Sequence, residues 1–266
     1  MNVDSIFHLD VHRVLQSAGV VALGKLAQTK PQSREVDLAQ SAEIQSVEQA
    51  LFKGLGNLTP QAYLLSETGR TQGRLNTLRW HLSPIDGAMN YLRGRAGFAI
   101  SACLFDGADL LGAWIFDPLR QKIACVGNQL PIQVNGFSPR LSSLLSMKGA
   151  MLSVGSPLNS NPDVVQVYWQ RVALAERWGM QVQRSGCASL DLLGLLEGAV
   201  DAVYNESASY VSIQAGWHLA KAAGLVLSAL PEERPLIQPT GIYAVQPQIV
   251  DEIMARWPTN PDLLPV

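Results

Sequence analysis

Two acids stand at the ends of apolar runs in the first third of the chain. Glu67 closes "AYLLSE" (62–67), and Asp86 lies inside "WHLSPIDGAMNYLRGRAG" (80–97). An acid placed where a buried strand opens into a turn suits a hard cation such as magnesium, which takes oxygen ligands in near-octahedral geometry. Gly87 follows Asp86 directly. A glycine-led turn into a helix leaves backbone N–H groups and a favourable dipole facing an anion. The stretch therefore has parts for holding a phosphate or a metal. Yet Ser83, Ala88 and Met89 occupy places where a metal site would want oxygen-rich ligands.

The other reactive residue types point to packing. His81, between Trp80 and Leu82, and His218, amid small and apolar residues, read as structural histidines. Ser185 and Ser189 flank Gly186, but no Ser-His-Asp arrangement accompanies them. Arg93 and Arg95 follow the turn and suit a phosphate, a partner or plain solvent exposure equally. The three cysteines, Cys103, Cys125 and Cys187, are far apart and lack zinc or disulfide spacing; they read as buried thiols of a reducing cytoplasm.

The elements that must position these residues follow from periodicity. Apolar residues at helical spacing predict a helix over 3–28 and a second from near Asp37 to Leu55. "AYLLSE" reads as a short buried strand, and "TLRWHLSPID" as a strand running into a turn. Four further strand-like runs (97–105, 110–118, 122–128 and 131–136), separated by turn signals, predict an antiparallel meander. The second half alternates. Strands at 150–155, 180–186 and 199–205 lead to helices at 162–178, 188–198 and 212–224. "LVLSAL", a Pro-rich loop, strand "GIYAVQ" and a closing helix over 247–257 follow, and the tail reads as loose. The mixture predicts layered sheets and helices around a continuous core.

Composition bounds the function classes. The 266 residues suffice for a large core; hydrophobic residues make up 47% and charged residues only 16%. A charged share below the usual quarter implies much buried surface and is compatible with a subunit interface. A net charge of −2 gives no footprint for nucleic-acid binding. The N-terminus carries Asp4, His8 and Asp10 and does not read as a signal peptide. No apolar run approaches the roughly 18 residues of a membrane span.

The order of segments resembles the inositol monophosphatase family, within the magnesium-dependent, lithium-sensitive sugar phosphatases. Over about residues 5–257, five landmarks carry the likeness. "LLSETG" (64–69) is similar to a strand ending in Gly/Ser-Glu-Glu. "WHLSPIDGAMNY" (80–91) is similar to W-x-x-D-P-I-D-G-T-x-N-F. "GAWIFDPLRQKIACVGNQLPIQVNG" (112–136) is similar to G-x-I-x-x-P…G-x-G-A-x-x-N-G. "RSGCASLDLLGLLEGAVDAVY" (184–204) resembles R-x-x-G-S-A-A-L-x-L-x-x-V-A-x-G-x-x-D-A-Y, and "YVSIQAGWHLAKAAG" (210–224) resembles P-W-D-x-A-A-G-x-x-L-x-x-E-A-G. The resemblance implies one layered α-β-α-β-α sandwich of the inositol-monophosphatase and fructose-bisphosphatase type. It would span 1–266, with sub-regions of about 1–150 and 151–257 sharing one core. It also implies a cytoplasmic homodimer.

The resemblance further implies a two-metal phosphatase site, in which metal ions clamp the phosphate and generate the attacking water. Carried over residue by residue, Glu67 and Asp86 match metal ligands, and Ile85 matches the residue whose carbonyl contacts a metal. Ser83 stands where an aspartate bridges both metals. Ser212 stands where an aspartate holds the second, with Val211 in place of its neighbouring Trp. Ala88 replaces the threonine that positions the water. That threonine's acidic partner aligns with Glu43, whose longer side chain departs from the pattern. Asn205 matches a position that is often a substrate-touching glutamate, and Gly87 and Gly186 face the phosphate and substrate region.

Magnitudes favour loss of this chemistry. Two serines for two aspartates remove about two negative charges. At a few kcal/mol each, metal binding falls on the order of 10³-fold. The missing threonine adds roughly 10²-fold by the usual worth of positioned acid–base groups. Magnesium, if held at all, is held weakly. The expectation is a family member without conventional phosphatase activity that binds a small phosphorylated or polyol ligand, or has a structural or regulatory role. The alternative is a magnesium-dependent phosphomonoesterase whose metal site is rebuilt by Glu43, Asp191 or Glu206.

Overall fold

The structure, a computed structural model, describes residues 1, 3–26, 41–155, 162–227 and 239–256. Helix α1 (Ser5–Leu26) buries Val11, Leu15, Ala18 and Ala22 along one stripe. Helix α2 (Ala42–Leu58) buries Ile44, Val47, Leu51 and Leu55. It starts at Ser41, whose Oγ accepts the Ile44 N–H at 3.4 Å, giving one free donor of the first turn a partner. The predicted start near Asp37 lies outside the described residues.

Strands β1 (Tyr63–Ser66), β2 (Thr71–Gln72), β3 (Leu78–Asp86), β4 (Ala99–Asp106), β5 (Asp109–Asp117), β6 (Lys122–Gly127) and β7 (Leu130–Val134) form one sheet in the order β2-β1-β3-β4-β5-β6-β7. From β3 onward each strand pairs antiparallel with the next, the expected meander. β1 joins parallel to β3, with Leu65 beside His81 and Ser66 beside Leu82. A one-turn helix α3 (Ala88–Tyr91) follows β3. Next come β8 (Met151–Val154), α4 (Pro162–Arg177), β9 (Gln181–Gln183), α5 (Ala188–Leu196), β10 (Ala202–Ser209), α6 (Tyr210–Ala222), β11 (Val226–Leu227), β12 (Pro239–Val245) and α7 (Val250–Arg256). The second sheet runs β11-β12-β10-β8-β9.

Strand alternation sorts the side chains into layers. Trp80, Leu82, Ile100, Ala102, Trp114 and Phe116 point to the face covered by α1 and α2. The opposite face carries Ala99, Cys103, Ala113 and Ile115. There they pack with Leu192 and Leu196 of α5, Ile213 and Leu219 of α6, and Val203 and Ala244 of the second sheet. The outer face of that sheet (Leu152, Val154, Tyr204, Val245) packs on Tyr168 and Ala175 of α4 and Ile253 of α7. The order helix, sheet, helix, sheet, helix is the five-layer sandwich that the resemblance implied.

Three local features depart from the sequence reading. β2 lies between the runs "AYLLSE" and "TLRWHLSPID", where the sequence pattern names no strand. The helix at Gly87 is a single turn of four residues, which carries little of a full helix dipole. The closing helix opens as a 3₁₀ turn, Pro247–Ile249.

Candidate functional site

The site grows from the ends of β1 and β3. Glu67 is the first residue past β1, and its N–H continues the parallel ladder by donating to the Leu82 carbonyl at 2.9 Å. Alternation then puts Glu67, His81 and Ser83 on the face that looks at α5 and α6. Ser101 of β4 pairs directly with Ser83 and shares that face. The β3–β4 register breaks between Ser83 and Asp86, so Asp86 is re-aimed as bulged strands do.

Asp86 caps α5. Its Oδ2 accepts the Ser189 N–H at 2.6 Å, in the first turn of a helix whose own N-cap residue, Cys187, makes no side-chain cap bond. The Cys187 thiol donates to the Asp86 carbonyl at 3.4 Å. The Ser189 hydroxyl reaches on to the Ser212 carbonyl of α6 at 3.3 Å. One chain of contacts thus joins the end of β3 to α5 and α6.

The turn after Asp86 is fixed by glycine. Gly87 has φ +82, and a Cβ there would lie 2.4 Å from the Gly97 carbonyl oxygen, so no other residue fits. Asn90 Nδ2 donates to the carbonyls of Gly97 and Ser185, each at 2.8 Å. This binds the turn to the loop of Gly186, where an added Cβ would meet Asn90 Nδ2 at 3.1 Å. Ala88 and Ile85 are buried, at 8% and 1% exposure. Asn205 is buried on β10, against Gly155.

Acids dominate the electrostatics. Burial, then repulsion from Asp86, pushes the Glu67 carboxyl up to about 8; Glu48 adds to the push, and the Ser83 hydroxyl opposes it. Burial raises Asp86, against hydrogen bonds from Ser189, Cys187 and Gly87. Burial raises Asp191 to about 7, with Asp86 adding to it, although Asp191 Oδ1 accepts from the Ser153 hydroxyl at 2.6 Å. Among the described residues, no cation is one of the groups acting on these three acids.

Glu48 is a residue the sequence reading passed over. It is 1% exposed, accepts from the Thr68 hydroxyl at 2.5 Å and pairs with Arg70 at 3.5 Å. It is the acid of α2 that acts on Glu67. Glu43 sits one turn earlier, where its Oε2 accepts from Ser41 Oγ at 2.8 Å. Among the described residues, no three His, Cys, Asp or Glu side chains gather so as to hold a metal ion.

His81 was expected to be structural, and half of its ring is. Nδ1 lies 2.6 Å from Gln214 Oε1 of α6. An amide oxygen only accepts, so Nδ1 carries the proton and Nε2 is left as an acceptor. Burial lowers the imidazole to about 4. Nε2 is buried without a partner among the described residues, as is Ser101 Oγ, while Ser83 Oγ has the Glu67 carboxyl as its neighbour. A buried polar atom left unfilled costs about 1–3 kcal/mol, so His81 Nε2 and Ser101 Oγ stand out on this face.

Comparison with known proteins agrees with this architecture. Residues 12–257 match the Inositol monophosphatase family. The chain is 28% identical over 217 residues to Nus factor SuhB of Xylella fastidiosa, covering 80% of this chain and 78% of that protein. In shape it is similar to extragenic suppressor protein SuhB of Bartonella henselae, with a TM-score of 0.81 at 18% identity over 94% of this chain and 98% of the other. It is also similar to inositol monophosphatase from Anabaena, with a TM-score of 0.76 at 22% identity over 94% of each chain.

Proposed function

The chain belongs to the inositol monophosphatase family, and from that premise we propose that it is a member without conventional two-metal phosphatase activity. It binds a small phosphorylated or polyol ligand, or serves a structural or regulatory role, as a cytoplasmic homodimer. One observation carries the reading. Of the acids that the family's motifs place around two metals, the positions of Ser83 and Ser212 hold hydroxyls, while Asp86 spends an oxygen capping α5. A serine hydroxyl is a neutral, poor ligand for magnesium. The residues present therefore do not fit a pair of magnesium ions.

Two further observations support parts of this reading. Some similar proteins bear the name Nus factor, in keeping with a regulatory role. Among the described residues no helix is long and apolar enough to cross a membrane.

The retained acids favour a second reading. Glu67 and Asp86 stand at ligand positions, Glu48 acts on Glu67, and Asp86 acts on Asp191. A rebuilt single-metal phosphomonoesterase would use these groups. Calorimetric titration with magnesium, with and without inositol monophosphate, tests both readings alongside phosphate release from a sugar-phosphate panel. The proposal expects neither metal binding tighter than millimolar nor turnover. Turnover that Asp86→Asn abolishes would establish the second reading instead.

A further inference from the structure

Helix α1 carries two stripes, and the fold uses one of them. His8, Val11, Leu15, Ala18 and Ala22 are buried against the first sheet. Two residues before each of these stands another row, Ile6, Leu9, Arg13, Gln16 and Val20, which Leu23 extends by one step. A shift of two residues turns the helix by about 200°, so this row points away from the sheet. Ile6, Leu9 and Val20 are 70%, 50% and 70% exposed. Arg13 and Gln16 are exposed too, and Leu23 is half-buried at the edge of the core. Single exposed apolar residues need no explanation, but a row of them along one helix face marks a contact surface. The alternating steps of three and four residues are those of a helix–helix seam.

The order of residues along the row selects the occupant. It reads apolar, apolar, polar, polar, apolar, apolar, and it reads the same from either end. A two-fold contact between identical chains needs such a self-complementary patch. With a second α1 laid antiparallel, Ile6 meets the partner's Leu23, Leu9 meets the partner's Val20, and Arg13 meets the partner's Gln16. The charges choose this direction, because a parallel pair would set Arg13 on the same cation of the other copy. Arg13 already holds Asp10, Nη1 to Oδ1 at 2.7 Å, so its charge is offset before the copies meet. Its remaining N–H groups suit an amide oxygen, and one polar layer in an apolar seam fixes register. A lipid surface would instead ask for several lysines and arginines along the helix. Here Arg13 is in an ion pair and Lys25 stands at the far end.

We propose that the outer stripe of α1 is a self-association surface, on which α1 of a second copy lies antiparallel with Leu9 over the partner's Val20. The surface is on the other side of the first sheet from the face that carries Glu67 and Ser83. The proposal therefore goes beyond the functional reading and stands whatever that site does. A helix of 22 residues is about 33 Å long. Two such helices make a contact at the small end of specific interfaces, so association is expected at about 10–100 µM.

Disulfide trapping on the full chain tests it. Cys103, Cys125 and Cys187 are buried, so thiols introduced on α1 report alone. Leu9→Cys and Val20→Cys, mixed under a mild oxidant, should give a covalent dimer. Either variant by itself should give little. In the proposed register the two copies of position 9 lie about 16 Å apart along the axis, beyond the ~7 Å that a disulfide spans. Sedimentation provides the second measurement. Leu9→Glu with Val20→Glu should weaken self-association tenfold or more, and mixing Leu9→Glu with Val20→Lys should restore it. The replaced side chains are exposed, and melting curves verify that each variant is folded. An interface elsewhere on the chain leaves the trapping pattern unchanged, so failure here is separate from failure of the homodimer reading. No covalent dimer in the mixture, equal trapping in Leu9→Cys alone, or association unchanged in the folded double glutamate variant would each overturn the proposal. Binding to anionic vesicles that the double glutamate variant loses, without self-association, would do so as well and assign the stripe to a membrane.

Discussion

Two buried histidines face opposite sides of the same sheet, and they are finished to different degrees. His8 of α1 lies on the α1/α2 side. Its Nδ1 accepts the Trp114 indole N–H at 2.8 Å, and its Nε2 lies 3.5 Å from the Cys125 sulfur. Both ring nitrogens have partners, and the ring lies nearly in the plane of the Trp114 indole, with 5° between them. His81, on the α5/α6 side, has one nitrogen on Gln214 and the other with none. The first is a closed packing unit. The second is the same residue type and is also buried, but one of its ring nitrogens has no partner among the described residues. Buried polar groups separate structure from binding by whether their demands are met internally.

The largest effect should come from the closed side. Trp114→Ala removes a fully buried indole from the first core layer and should cost about 3–5 kcal/mol in urea denaturation. A loss below 1 kcal/mol would mean that this side is not the firmer one.

Acid should probe both sides at once. His81 and His218 are each lowered to about 4, chiefly by burial, and His8 is lowered by burial and by His12. Between pH 6.5 and 4 the unfolded chain binds protons that the folded chain refuses. Stability is therefore fully present above pH 6.5 and is lost as pH falls through 4, by up to ~3 kcal/mol for a group displaced this far. Replacing His81 and His218 together by leucine should flatten the acid limb of unfolding free energy against pH. An unchanged slope would place the acid sensitivity elsewhere.

His8→Leu strands the Trp114 N–H and should cost about 1–3 kcal/mol. Asp86→Ala, which uncaps α5, should cost about 1–2 kcal/mol, whereas Asp86→Asn keeps an acceptor and should cost less; thermal melts separate them. The smallest effect is expected from His81→Leu with Gln214→Leu. Removing both partners, and an atom that had none, should leave stability within about 1 kcal/mol or raise it. A large loss there would show that the face is structural after all.

The contrast also marks what the sequence could disclose. The meander was legible because "AISACLFD" and "LLGAWIFD" are bounded by turn residues, and the helices because their stripes repeat locally. Glu67, Asp86, Ser83 and Ser212 are singled out by motif spacing alone. Glu48 was not, because it lies on the same stripe as Ile44 and Leu51 and vanishes into the apolar pattern. A charge on that stripe was the available signal. The His81–Gln214 pair joins residues 133 positions apart, so no local pattern reports it. What could be seen was a histidine at an inward strand position and a glutamine where the motif has alanine. β2, two residues long and exposed, exists only because β1 offers it an edge.

Asp86 has a consequence for how such sequences are inherited. Its carboxylate belongs to a motif associated with metals, yet here it holds the first turn of a helix. A side chain with two employments outlives the loss of either one. The helix start calls for an acid at Asp86 with or without a metal. Its presence speaks of folding as readily as of catalysis.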